Sequence, residues 1–216
     1  MTTTLKERRR DHVRAELAAT TLQLVSEEGV EAATIERICA ACGTSRSTIY
    51  SHFPDGRDGV LRAAYFRAGE SLIELARERA TQTVGWDARI ASYARTMLEF
   101  SSSTNLGSFY SVSGPSLLGF RSERGVGAQS YFDDIRTELA TAQAAGELPA
   151  DAEPETLATL LVSSLRDAGV AAAQNPELCE RFVTSVWTIL KGLRALGPSA
   201  IPTTPESPTT TESEQR

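Results

Sequence analysis

The chain has little cysteine. Cys39, Cys42 and Cys179 are three thiols in 216 residues, an odd number, and no apolar h-region follows the Met-Thr-Thr-Thr-Leu start. A secreted disulfide framework is therefore excluded, and the reducing cytoplasm is the expected compartment. Long hydrophobic runs are missing too. Arg, Asp or Glu interrupts each apolar stretch short of the ~20 residues a membrane span needs, so a soluble protein with no membrane partner is expected. The sequence contains no Ser-His-Asp grouping, no metal-ligand spacing and no Gly-rich phosphate loop. No catalytic residue, metal or cofactor is expected, and the protein reads as a non-enzyme.

Proline is scarce over most of the length. Pro54, Pro115, Pro149, Pro154 and Pro176 are the five outside the last twenty residues, where Pro198, Pro202, Pro205 and Pro208 crowd among Thr, Ser and Glu. Residues 198–216 are expected to be a disordered tail. The long proline-free stretches are rich in Ala, Leu, Glu and Arg, which lose least on entering a helix. With 41% hydrophobic residues the chain can bury a sizeable core, and an all-α body follows.

Positive charge is in deficit overall, at a net charge of -6, which argues against a phosphate-rich partner. The deficit is uneven. Residues 1–67 hold 10 Lys and Arg against 9 Asp and Glu, net +1, while residues 68–216 hold 12 against 19, net -7. Lys6, Arg8, Arg9, Arg10 and Arg14 against Glu7 and Asp11 put the first fourteen residues at +3. The two parts are expected to meet different partners.

The apolar periods place the helices. Val13, Leu17, Leu24 and Val25 share one face, which Gly29 closes in the left-handed conformation expected of a C-terminal glycine. Ile35, Ile38, Cys39 and Cys42 repeat at helical spacing between an N-cap, Thr34, and a stop, Gly43. Ser45 caps a third, short helix with Ile49 and Phe53 pointing inward, ended by Pro54. A fourth from about Asp58 carries Leu61, Ala64, Tyr65, Ala68, Leu72 and Leu75. After Gly85 comes a stripe of Trp86, Ile90, Tyr93, Met97 and Phe100. Further helices are expected at about 128–144, 154–173 and 176–196, with Pro154 and Pro176 in first turns.

The second and third helices, joined by a tight glycine turn, form a helix-turn-helix signature over about 34–53. Its second helix, Ser45 to His52, is the candidate reader of a DNA major groove. Arg46 suits a guanine edge or a phosphate, Ser47 and Thr48 suit bases or backbone, and Tyr50 and His52 suit phosphates. An αα-hairpin alone is weak evidence, since many never touch DNA. Cys39 and Cys42 also read as C-x-x-C, a redox pair or half a zinc site, although both occupy positions suited to core packing.

Glu28-Gly29, Thr34-Ile35, Ile38, and Cys42-Gly43-Thr44-Ser45-Arg46-Ser47-Thr48-Ile49-Tyr50-Ser51-His52-Phe53 together resemble the N-terminal domain of the tetracycline-repressor (TetR) family of transcription regulators, over about Arg10 to Ala68. The resemblance implies a homodimeric repressor that binds a palindromic double-stranded operator through two heads and is released by a small-molecule effector. It divides the chain into a DNA-binding domain at 1–67 and a ligand-binding and dimerisation domain at 68–197, before the tail.

Residue by residue, Thr34 matches the family's capping threonine near the DNA backbone. Ser45, Arg46, Ser47, Thr48, Tyr50, Ser51 and His52 fall on its recognition helix. Arg57, after one extra residue, matches the basic residue that opens the fourth helix and touches phosphate, and Arg8, Arg9 and Arg10 match a basic arm. Glu36 stands where a basic residue would serve DNA better. Trp86, Tyr93, Met97, Phe100 and Tyr131 are candidates to line a partly apolar effector pocket, with Arg95 and Arg166 as possible orienting groups. Leu161, Val162, Leu165, Phe182, Val183, Val186 and Leu190 are expected in the bundle core or the dimer seam, with Leu161, Leu165, Val183, Val186 and Leu190 the candidates for the seam. A thiol oxidoreductase using Cys39 and Cys42, and a helical adaptor with a vestigial head, are the competing readings.

Overall fold

A computed structural model describes residues 4–103, 105–117 and 126–198, and those residues hold helices and no strand. The first helix, α1 (Leu5–Glu28), starts at a capping box in which the Thr4 hydroxyl accepts from the Glu7 N–H and the Glu7 carboxylate accepts from the Thr4 N–H at 2.8 Å. This closure satisfies two orphan donors and winds the chain into helix at once. Arg8, Arg9 and Arg10, the residues of the expected basic arm, consequently sit in exposed turns of regular helix. Gly29 ends α1 at φ 87° and ψ 167°, so the chain leaves extended instead of curling left-handed, and a 3-10 turn at Val30–Ala32 carries it to Thr34.

Next come α2 (Ile35–Cys42), α3 (Arg46–His52) and the long α4 (Arg57–Thr81). Val60, Leu61, Ala64, Ala68, Leu72, Ile73 and Ala76 are buried along α4. Leu75, expected on that stripe, faces outward, because the buried face drifts to Ile73 and Ala76 as α4 passes from one neighbour to the next. After Gly85, α5 (Trp86–Ser102) runs back as expected. A bent segment follows: α6 (Asn105–Ser108), a π turn at Phe109–Ser113 and α7 (Gly114–Leu117).

Three long helices complete the fold: α8 (Val126–Ala144), α9 (Pro154–Gln174) and α10 (Leu178–Leu196). Pro154 opens α9 in its first turn, but Pro176 precedes α10. The chain turns at Pro176 and Glu177, and the Pro176 carbonyl accepts from the Cys179 N–H. The tail, apart from Pro198, lies outside the described residues.

Two cores result. Leu17, Leu24, Val25, Ile38, Ile49, Phe53, Val60 and Leu61 form the core of the head, and Phe109 reaches back to join it. The larger body core runs along the rest of α4, α5 and α8 to α10. The helix α4 belongs to both, and so does the bent segment. Phe109 is buried in the head core while its neighbour Tyr110 is buried in the body core.

Candidate nucleic-acid interface and ligand cavity

The head positions α3 by local chemistry. Thr34 caps α2, its hydroxyl accepting from the Arg37 N–H at 3.3 Å. Gly43 ends α2 at φ 61° and ψ 34°, a left-handed turn that a side chain would strain. Ser45 then caps α3, accepting from the Thr48 N–H at 3.1 Å. Ile49 and Phe53 are driven inward, and fully burying Ile49 contributes roughly 1.5–3 kcal/mol to holding α3 in place.

The opposite face is turned to solvent. Arg46, Ser47, Tyr50 and Ser51 are exposed, while Thr48 is half-buried with its hydroxyl 2.9 Å from that of Ser45. This face offers a guanidinium, hydroxyl groups and a phenol in a helix short enough to enter a major groove end-on. Those are the groups that read base edges and grip phosphates.

Several contacts within the head were not foreseen. Arg46 pairs with Glu36 across the turn at 2.6 Å, with both side chains mostly exposed. Arg14 donates to the carbonyl oxygen of His52 and lies over the Phe53 ring at 4.4 Å, placing a cation at the C-terminal end of α3. His52 is half-buried rather than free on the surface, and its Nδ1 is sealed from solvent. Arg57 does open α4, but its guanidinium is committed to the carbonyl oxygens of Ala33 and Val30, both at 2.8 Å. It latches the loop before α2 to α4. The available signal for Arg14 was a basic residue on α1, but charge alone does not show which carbonyl it meets.

Cys39 and Cys42 are free thiols, each half-buried against the head core. Burial pushes the Cys42 thiol up, away from the thiolate that redox or metal chemistry needs. Among the described residues no group of three or more His, Cys, Asp and Glu could hold a metal ion.

The body contains a cavity of about 370 Å³ enclosed by α4, α5, the π turn, α7, α8 and α9. Tyr65, Leu72, Met97, Tyr110, Tyr131, Val162 and Arg166 are among its walls. Gly114 admits the Tyr65 ring, since a Cβ there would lie 2.7 Å from it. Of the pocket residues expected from the sequence, Met97 and Tyr131 line the cavity. Trp86, Tyr93 and Phe100 do not: Trp86 is plain core, Tyr93 packs edge-on against Tyr131 and donates to Asp134 at 3.2 Å, and Phe100 meets Tyr110 edge-on. The apolar stripe of α5 is wide enough to touch two neighbours, and only one edge faces the cavity. Arg166 is in the wall, whereas Arg95 is occupied by Glu180 at 2.6 Å.

Of the residues expected in the bundle core or the dimer seam, Leu161, Leu165, Val183 and Leu190 lie in the chain's own core. Phe182, Val186, Ile189, Leu193 and Leu196 repeat at spacings of four and three along a second stripe of α10, half-buried or exposed, and Phe182 and Val186 of the expected set fall on it. Both stripes have coiled-coil periodicity, and packing against α5 decides which turns inward. No helix among the described residues is long and apolar enough to cross a membrane.

These features define a helix-turn-helix DNA-binding head on a helical body with an internal cavity. Residues 17–64 match the sequence profile of the bacterial regulatory proteins of the tetR family. A TetR-family transcriptional regulator from Pectobacterium atrosepticum superposes with a TM-score of 0.74 at 20% identity, over 88% of this chain and 97% of that one. FadR from Bacillus subtilis in complex with stearoyl-CoA gives a TM-score of 0.61 at 12% identity, covering 81% and 96%. RolR in complex with resorcinol gives 0.66 at 18% identity, covering 91% and 98%. No curated protein is significantly similar in sequence. The head thus carries the sequence signature of the tetR-family DNA-binding domain, and the chain shares the fold of these regulators over most of its length.

Proposed function

We propose that this protein is a homodimeric repressor that holds a palindromic operator through two heads and releases it when a small molecule fills the body cavity. The observation that carries the reading is α3, a short helix anchored by buried Ile49 with Arg46, Ser47, Tyr50 and Ser51 all turned to solvent. On this reading residues 1–67 bind DNA, residues 68–197 bind ligand and pair the subunits, and the protein works in the cytoplasm without catalysing a reaction.

The outer stripe of α10 supports pairing of two copies. Ile189 is 52% exposed and Leu196 39%, with Leu160 of α9 at 60%, an apolar face that a second copy would cover. Two copies side by side would present two α3 helices to half-sites about one DNA turn apart. The FadR and RolR structures hold small molecules in the same fold, which supports a ligand role for the cavity here. The adjoining Phe109 and Tyr110 supply a short route from cavity to head. Coupling of about 1–3 kcal/mol between the two sites suffices for a useful switch.

The test is selection of bound sequences from a random duplex pool by the full chain. A palindromic site with half-sites one turn apart is expected. Enrichment of nothing, or of a lone half-site, would contradict the reading.

A further inference from the structure

The chain has five tyrosines, and four of them gather at or beside the cavity. Tyr65, Tyr110 and Tyr131 are in its wall, and Tyr93 packs against Tyr131 with ring centroids 5.6 Å apart. Tyr65 and Tyr110 stack at 5.1 Å, leaving a flat aromatic surface beside Met97. The Tyr131 hydroxyl is buried and has no hydrogen-bond partner among the described residues. A buried polar group left unsatisfied is costly, so a ligand that supplied an acceptor would recover that stability. Burial pushes the phenols of Tyr110 and Tyr131 far above their ordinary range, which keeps them neutral donors at any physiological pH.

The mouth is marked by a second anomaly. Arg77, Arg79, Arg89, Arg95 and Arg194 in the body are each paired with a carboxylate, at 2.7, 2.5, 2.7, 2.6 and 2.6 Å. Arg166, like Arg136 and Arg181, has no such partner among the described residues, and of these three it is the one in the cavity wall. Its positive charge acts on Tyr65 and Tyr110, which share the cavity wall with it, and favours their ionised forms against the effect of burial. Asp167 lines the same wall one residue on, but successive helical residues do not face each other, and the two form no ion pair.

From these groups we infer that the cavity takes a compact aromatic monocarboxylic acid, its ring against Tyr65, Tyr110 and Met97 and its carboxylate on Arg166. The inference rests on the cavity being the effector site proposed above. The volume of about 370 Å³ is at the lower end of small-molecule sites and suits one or two rings. A guanidinium fork matches a carboxylate in two parallel hydrogen bonds. Asp167 sets the limit to one acidic group, because a second carboxylate would meet it at the mouth.

Calorimetric titration of the full chain with benzoate, 4-hydroxybenzoate and 2-naphthoate, each beside its carboxamide, and with phthalate, whose second carboxylate is ortho, tests this directly. At least one acid should bind tenfold or more tighter than its amide, and phthalate should bind more weakly than benzoate. Arg166→Gln should bring the acid down to the level of the amide without moving the thermal unfolding midpoint, since Arg166 is exposed. Equal or tighter binding of the amides, undiminished acid binding by Arg166→Gln, or no binding by any acid would overturn the inference. Retention of a selected duplex is then measured with the same compounds. Acids that bind without loosening DNA would uphold the ligand class and overturn effector release, and neutral amides that bind and release DNA would do the reverse.

Discussion

In the head, arginine, serine and tyrosine stand outward on a seven-residue helix around one buried isoleucine. In the body, tyrosine stands inward around a cavity and arginine is mostly tied to carboxylates. The difference follows from the partners each region suits. A reader of DNA must present polar groups to a surface that comes to it, so rigidity has to come from beneath, through Ile49, Phe53 and the Arg14 contact to the end of α3. A ligand chamber must hold its polar groups inside, where each unpartnered one is costly and therefore selective. The two regions share α4 and meet again at Phe109 and Tyr110, so neither is free of the other's packing.

The strongest way to break this comparison is at the junction. Phe109→Ala should destabilise the protein by about 3–5 kcal/mol, the usual result of removing a fully buried aromatic ring. Chemical denaturation followed by circular dichroism measures it, and a loss below about 1 kcal/mol would show that the head does not lean on the bent segment. Arg46→Ala acts on the reading face alone. It should cost about 1–3 kcal/mol in DNA affinity and relax specificity at one position per half-site if the guanidinium meets a base, with unfolding unchanged. A uniform loss over all sequences would assign it to phosphate.

Smaller effects sharpen the comparison. Glu36→Gln removes both the partner that holds Arg46 and a negative charge beside the reading face. The pair is exposed, so the thermal unfolding midpoint should hardly move. DNA affinity, read by fluorescence anisotropy over a salt series, should rise several-fold, and a fall would mean that Glu36 positions Arg46 for reading. Changing Cys39 and Cys42 together to Ser should leave DNA affinity within about twofold in reducing and oxidising buffer alike, as half-buried packing thiols imply. Loss of binding only on oxidation would revive a redox role.

Much of the head was legible before any coordinates because its signals are local. Thr34, Gly43 and Ser45 are caps whose partners lie within five residues, and Ile49 and Phe53 follow from helical period. What escaped was partner choice across space: Arg57 turning to Val30 and Ala33, Arg46 to Glu36, Arg14 to His52. A guanidinium reaches many acceptors, and only the crossing of helices selects one. In the body, helix positions were readable but their faces were not. On α10, the stripe at 182, 186, 189, 193 and 196 has the period expected of a core, as does the buried set of Cys179, Val183 and Leu190. The cavity was least legible, because it arises where six elements fail to fill the space between them, and no period encodes that.

Nuclease footprinting of the full chain on the DNA upstream of its own coding sequence tests the central claim, that this protein is a DNA reader with two coupled heads. The account predicts one protected site with two-fold symmetry, protection that fades as salt is raised because phosphate contacts release counterions. Absence of protection on that DNA and on duplexes from a random pool, even at low salt, would contradict it.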